Sequence, residues 1–136
     1  MTNVLVVDDD PVSLLLVRHV LERQGYVVTG TDSVDSALAL KAESVKADGE
    51  SSFDLVICDY VMPGRNGLDL LESWTPGTPF VLLTGELNRD DLNDDRVEGV
   101  SAYLTKPVAS AELESVVADL LDTVTSPPTP LTKPLV

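Results

Sequence analysis

Four short apolar runs, residues 4–7, 55–58, 80–83 and 102–104, are rich in β-branched or aromatic side chains and do not alternate with polar ones. Runs of that kind predict strands buried on both faces, as in a parallel sheet covered by helices. A fifth β-prone segment, 26–31, closes in Thr29-Gly30-Thr31 and reads as a shorter strand nearer an edge.

Between these segments the apolar positions take up helical spacing. Asp10-Pro11 opens the first helix, with Asp as cap and Pro in the first helical position; Leu14, Val17 and Leu21 mark its buried face, and it ends near Gly25. Val34, Leu38, Ala42 and Val45 repeat at helical spacing in a second helix, which stops before the polar stretch 47–52, a predicted surface loop. A third helix is predicted over 67–74, closed by Thr75-Pro76-Gly77, and a short, poorly apolar fourth over 88–95. Leu113, Val116, Val117, Leu120, Leu121 and Val124 form the most regular amphipathic pattern, predicting a last helix with one face on the sheet.

From Ser126 onward four prolines in eleven residues prevent a helix from continuing. The chain therefore divides into a folded unit over 1–124 and a Pro-rich linker or tail over 125–136. No internal repeat is present. Strands alternating with helices predict an α/β fold with right-handed crossovers, helices on both sides of the sheet, and functional residues at the carboxyl ends of the strands.

Composition narrows the setting. At 136 residues the chain is one domain's worth, able to bury a core without disulfides or structural metal. No apolar run approaches the roughly 20 residues of a membrane-spanning helix, so no membrane span is expected. The first residues, Met1-Thr2-Asn3, lead into a four-residue apolar run without the features of a signal peptide, so a cytoplasmic location is expected. The single cysteine, Cys58, permits no intrachain disulfide, fits a reducing compartment and reads as strand packing. Nine Lys plus Arg against 23 Asp plus Glu give a formal charge of −14, which repels nucleic acid and anionic lipid and argues against direct DNA binding.

The candidate chemistry sits just past the apolar runs: Asp8-Asp9-Asp10 after the first strand, Asp59 after the third, Thr84 after the fourth and Lys106 after the fifth. In a parallel sheet these positions converge on the ligand-binding edge. Clustered carboxylates repel and raise one another's pKa, so a site that keeps them calls for a cation. Mg²⁺, held by one or two carboxylates plus phosphate oxygens, is the natural candidate. Lys106 then neutralises remaining charge and can hold a phosphoryl oxygen, Thr84 can donate a hydrogen bond to another, and Asp59 is left as nucleophile, giving an acyl phosphate.

Plainer roles compete at each position. Asp10 before Pro11 is assigned to the helix cap, and Asp8 and Asp9 to metal. Asp59 alone could merely begin a solvated loop, but the buried strand before it and Pro63-Gly64 after it favour function. Thr84 and Lys106 could be an ordinary loop hydroxyl and a surface amine, and they stand or fall with Asp59. Tyr103 reads equally as a packed aromatic and as a moving part, while His19 and Trp74 read as a surface residue and a packing residue.

Taken together, Asp8-Asp9, Asp59, Met62-Pro63-Gly64 with Gly67, Thr84, Tyr103 and Lys106-Pro107 resemble a two-component response-regulator receiver domain over residues 3 to about 124. The resemblance implies a flavodoxin-like (βα)5 three-layer sandwich whose five-stranded parallel sheet has the order 2-1-3-4-5. It implies that Asp59 accepts phosphate from a histidine kinase or phosphotransfer protein, that Asp9 binds Mg²⁺ directly, that Asp8 acts largely through water, and that the Val61 carbonyl completes the protein ligands. It further implies a cis Lys106-Pro107 peptide and a switch in which Tyr103 turns inward as Thr84 moves toward the phosphoryl group. That motion would alter the face made by the last two helices and the fifth strand, through which a homodimer is also compatible. Val61 and Glu86 flank the site, Gly85 stands where a small residue such as Ala is common, and the 48–52 loop is long. The Pro-rich end is compatible with a C-terminal output domain or a downstream protein partner.

Two other functions compete with this one. A haloacid-dehalogenase-like phosphatase would use Asp8 and Asp10, but it wants an acidic pair after a strand beyond its lysine and leaves Asp59 unexplained. A phosphorylation-independent interaction module of the same fold would lose acidic or lysine positions, and none is lost here.

Overall fold

The structure is a computed structural model that describes residues 2–43, 53–62, 64, 66–74, 77–85 and 99–125. In chain order the elements are β1 (Asn3–Val7), α1 (Pro11–Arg23), β2 (Val27–Thr31), α2 (Val34–Glu43), β3 (Leu55–Asp59), α3 (Gly67–Glu72), β4 (Phe80–Thr84), β5 (Ala102–Thr105) and α4 (Ser110–Thr125). All pairings are parallel and the sheet order is β2-β1-β3-β4-β5, the order and fold class the resemblance implied.

The continuous apolar runs resolve into two faces once they are strands, because successive side chains point to opposite sides. Val4 and Val6 of β1, Leu55 and Ile57 of β3, and Val81 and Leu83 of β4 pack with Val17 and Leu21 of α1 and with Leu113, Val117 and Leu121 of α4. Leu5 and Val7, Val56 and Cys58, and Phe80 and Leu82 pack on the other side with Val34 and Ala37 of α2, Leu68 and Leu70 of α3, and Trp74. The sheet is thus the middle of three layers.

Caps fix where the helices begin. The Asp10 carboxylate accepts the Val12 N–H at 3.1 Å, with Pro11 in the first turn of α1. At α3 the Asn66 side chain accepts the Asp69 N–H at 3.0 Å while the Asp69 carboxylate accepts the Asn66 N–H at 2.8 Å, a reciprocal pair that satisfies two otherwise orphaned donors.

Two packing expectations are corrected. The segment 102–104, expected to be buried on both faces, is an edge strand in which only Leu104 is buried, because among the described residues no strand lies beyond β5. In α2 the buried positions are Val34 and Ala37, with Leu38 partly buried, while Ala42 is exposed. Leu40 also packs on that core, so the buried stripe of α2 runs through Val34, Ala37, Leu38 and Leu40 and leaves Ala42 to solvent. Trp74 is buried against Phe53, ring centroids 6.2 Å apart, with the Lys41 ammonium 5.7 Å from its ring, and His19 is exposed. Val45, the 47–52 loop, the predicted fourth helix at 88–95 and the Pro-rich end lie outside the described residues.

Candidate functional site

Asp59 and Thr84 are the last residues of β3 and β4, one position deeper than the sequence pattern suggested, and Lys106 follows the last residue of β5. Pairing of Asp59 with Leu83 and of Thr84 with Thr105 brings the three strand ends level. The Lys106 N–H donates to the Thr84 carbonyl at 2.8 Å, which holds the start of the β5–α4 connection against β4. The Lys106–Pro107 peptide is cis.

Asp8, Asp59 and Lys106 continue the strand positions that face α1 and α4, and their side chains meet. The Lys106 ammonium donates to Asp8 Oδ2 and to Asp59 Oδ2, each at 2.9 Å. Asp8 is 0% exposed, and its other carboxylate oxygen accepts the Asp10 N–H at 2.9 Å. Asp9 is exposed, yet its carboxylate lies with those of Asp8 and Asp59 such that one oxygen of each falls within 4.8 Å of the others. Among the described residues, three carboxylates therefore gather at one place, and one ammonium bridges two of them.

The electrostatics follow from that imbalance. Asp59 is only 7% exposed; burial pushes its carboxyl above the usual range and Asp8 adds to the rise, with Lys106 offsetting part of it. For Lys106 burial pulls downward, but its bonds to Asp8 and Asp59 outweigh this and hold the ammonium above the ordinary lysine value. The donor set suits a hard divalent cation: all three side chains offer oxygen, one is open to solvent, and two are buried where little water can offset their charge.

Thr84 is 2% exposed and continues the opposite strand positions, those of Phe80 and Leu82; Tyr103, partly buried, packs against that same side, where burial raises its hydroxyl pKa. The two expected switch residues thus belong to one layer and the ionic cluster to the other. Val61 is 70% exposed, while Met62 beside it is buried in the α2–α3 layer and anchors the loop, and Gly64 has φ +84°, a left-handed conformation that favours glycine. Glu86 and Pro63 lie outside the described residues.

Asp10 is not brought into the cluster as a ligand. Its carboxylate accepts the Ser13 hydroxyl at 3.0 Å as well as the Val12 N–H, and these bonds lower its pKa, the hydroxyl most. The sequence marked Cys58 only as strand packing and Gly67 only as part of the family motif, and did not foresee that both meet the Asp59 carbonyl. The buried Cys58 thiol, its pKa pushed up by burial, donates to the Asp59 carbonyl at 3.3 Å, and Gly67 packs against that same carbonyl. The Asn66-x-x-Asp69 spacing was a readable cap signal for where α3 begins; nothing local marked the Cys58 contact.

A family model described as the response regulator receiver domain matches residues 4–118. The chain is 31% identical over 125 residues to the sensory/regulatory protein RpfC of Xanthomonas campestris, covering 87% of this chain and 16% of that protein. It is 35% identical over 118 residues to the probable transcriptional regulatory protein TcrX of Mycobacterium tuberculosis, covering 82% of this chain and 46% of the relative. Among solved structures, a receiver domain protein from Clostridium thermocellum superposes with a TM-score of 0.80 at 28% identity, covering 92% of this chain and 98% of that one. Response regulator TrrA from Thermotoga maritima, solved in complex with Mg²⁺ and BeF, does so with a TM-score of 0.72 at 28% identity, covering 88% and 99%. The chain belongs to the response regulator receiver domain family, the domain that two-component signalling proteins carry. It spans less than half the length of these two curated relatives.

Proposed function

We propose that this chain takes a phosphoryl group onto Asp59 and relays it as a conformational change. The observation that carries this is the ammonium of Lys106 held 2.9 Å from both Asp8 and Asp59 beside a third carboxylate, a cluster more negative than its own cation can neutralise. Asp8, Asp9, Asp59 and the Val61 carbonyl would hold Mg²⁺, which when bound offsets negative charge on the phosphoryl oxygens.

The donor is a phosphohistidine on a histidine kinase or phosphotransfer protein. An Asp59 carboxylate oxygen forms the O–P bond as the N–P bond breaks, and the departing imidazole nitrogen keeps the electron pair and takes a proton. Lys106 then follows the charge onto the phosphoryl oxygens, and the Thr84 hydroxyl donates to another of them. Val12, Leu15 and Leu16, exposed on the helix that starts beside Asp8–Asp10, offer such a donor an apolar surface.

Output runs through Thr84 and Tyr103, whose shared layer supports a coupled movement, to the face around β5 and its flanking helices, which also serves for homodimer formation. The domain ends near residue 124, and 125–136 tethers it to an output domain or a downstream protein. The acyl phosphate hydrolyses slowly by itself, so the chain is a switch rather than a turnover enzyme. Among the described residues no helix is long and apolar enough to cross a membrane, and a reducing cytoplasmic setting suits the buried thiol of Cys58.

The test is incubation with Mg²⁺ and a small acyl phosphate, with intact mass spectrometry as the readout. The expected result is one phosphoryl adduct that Asp59→Asn removes; no adduct, or continuous turnover through Asp8, would overturn the reading.

A further inference from the structure

Helix α3 begins so close to the end of β3 that its first residue has no room for a side chain. A Cβ on Gly67 would lie 2.8 Å from the Asp59 carbonyl oxygen, 2.7 Å from Leu82 Cδ1 and 3.3 Å from Tyr60 Cα; the first two are separations that real Cβ atoms essentially never show. Gly67 is helical, so space rather than left-handed geometry excludes a larger residue.

The helix start has little freedom to retreat. The Gly67 N–H donates to the Tyr60 carbonyl at 2.9 Å, and the Tyr60 N–H donates to the Leu83 carbonyl at 2.7 Å, so Gly67 is tied through Tyr60 to β4. The Asn66–Asp69 capping pair sets the first turn, and Leu68 and Leu70 are fully buried beneath it. Sliding α3 away from β3 would disturb all of these together. The Leu82 contact is with the end of a flexible side chain and yields by a change of rotamer; the Asp59 contact is with backbone and yields only by displacing Asp59 itself.

We infer that Gly67 is a positioning residue for Asp59. Its missing side chain lets the first turn of α3 rest on the Asp59 carbonyl, which fixes the backbone from which the Asp59 carboxylate reaches Lys106 and the neighbouring carboxylates. The inference rests on Asp59 being the phosphoacceptor. The Cys58 thiol donates to the same carbonyl from within the strand, while Gly67 leaves only the space of a hydrogen beside it.

The experiment compares Gly67→Ala, Gly67→Ala with Leu82→Val, Leu82→Val alone and Leu70→Ala. Phosphorylation by a small acyl phosphate is timed by mass spectrometry, Mg²⁺ binding is measured by calorimetry, and melting is followed by circular dichroism. Gly67→Ala is expected to slow phosphorylation about 10- to 100-fold, the scale of a small displacement at a reacting group, and to weaken Mg²⁺ binding. Leu82→Val, which lacks δ carbons, removes only the side-chain clash, so the double variant should recover part of the melting loss and none of the rate. Leu70→Ala should melt earlier yet react at the wild-type rate below its transition.

A Gly67→Ala variant that reacts and binds Mg²⁺ like wild type overturns the inference. So does a double variant that regains its rate, which would trace the defect to crowding of Leu82, and so does failure of both variants carrying Gly67→Ala to fold, which would make Gly67 a folding residue only. If the wild-type chain takes no phosphoryl group, the reading of Asp59 fails instead, and the Mg²⁺ titrations still decide the role of Gly67.

Discussion

Asp54 and Asp59 stand at the two ends of β3, five residues apart in sequence, and do opposite things. At the amino end Asp54 accepts the Asn3 N–H at 2.8 Å and its own N–H donates to the Asn3 carbonyl at 2.7 Å, a stitch that aligns β1 with β3. The Phe80 N–H finds the Ser101 hydroxyl at 3.0 Å at the same end. The side chains of Asp54 and Ser101 both serve neighbouring backbone. At the carboxyl end Asp59 meets an ammonium and two further carboxylates, and negative charge exceeds what the local cation offsets. The residue type is the same; the end of the sheet decides whether it holds the fold or carries chemistry.

Replacing the two aspartates in turn tests that contrast most severely. Asp59→Asn should abolish the phosphoryl adduct seen by mass spectrometry, while Asp54→Asn should leave its formation rate unchanged; equal loss in both would dissolve the contrast. Next in size, Lys106→Met should slow phosphorylation about 100- to 1000-fold, the scale of losing one stabilising donor at a developing charge. A rate within a few-fold of wild type would mean that the ammonium serves packing alone.

A smaller effect belongs to the amino end. Asp54→Ala should lower stability by about 1 kcal/mol, the usual worth of a lost hydrogen bond whose donor water can reach, as read from urea denaturation. A change in Mg²⁺ affinity instead would couple the two ends. Smallest of all, Glu22→Gln breaks the exposed Arg18–Glu22 pair, 3.3 Å apart on α1, and should shift stability by no more than about 0.5 kcal/mol. A larger shift would show that ion pairing outside the cluster matters to the fold as well.

Much of the architecture was legible because its signals are local. Apolar runs of three or four residues, Asp10-Pro11 at a helix start and the repeat from Leu113 to Leu121 mark elements through the preferences of a few neighbouring residues, and they also put Asp8, Asp59, Thr84 and Lys106 at strand ends. Local pattern was therefore enough to establish which side chains share an edge of the sheet. Packing between elements settled the rest: that β5 is an edge, that Ala37 rather than Ala42 is buried, that one ammonium bridges Asp8 and Asp59 across 98 and 47 residues of chain, and that Gly67 rests on the Asp59 carbonyl. Those facts depend on which element lies beside which, and periodicity records how a residue faces its own element without recording what packs against that face.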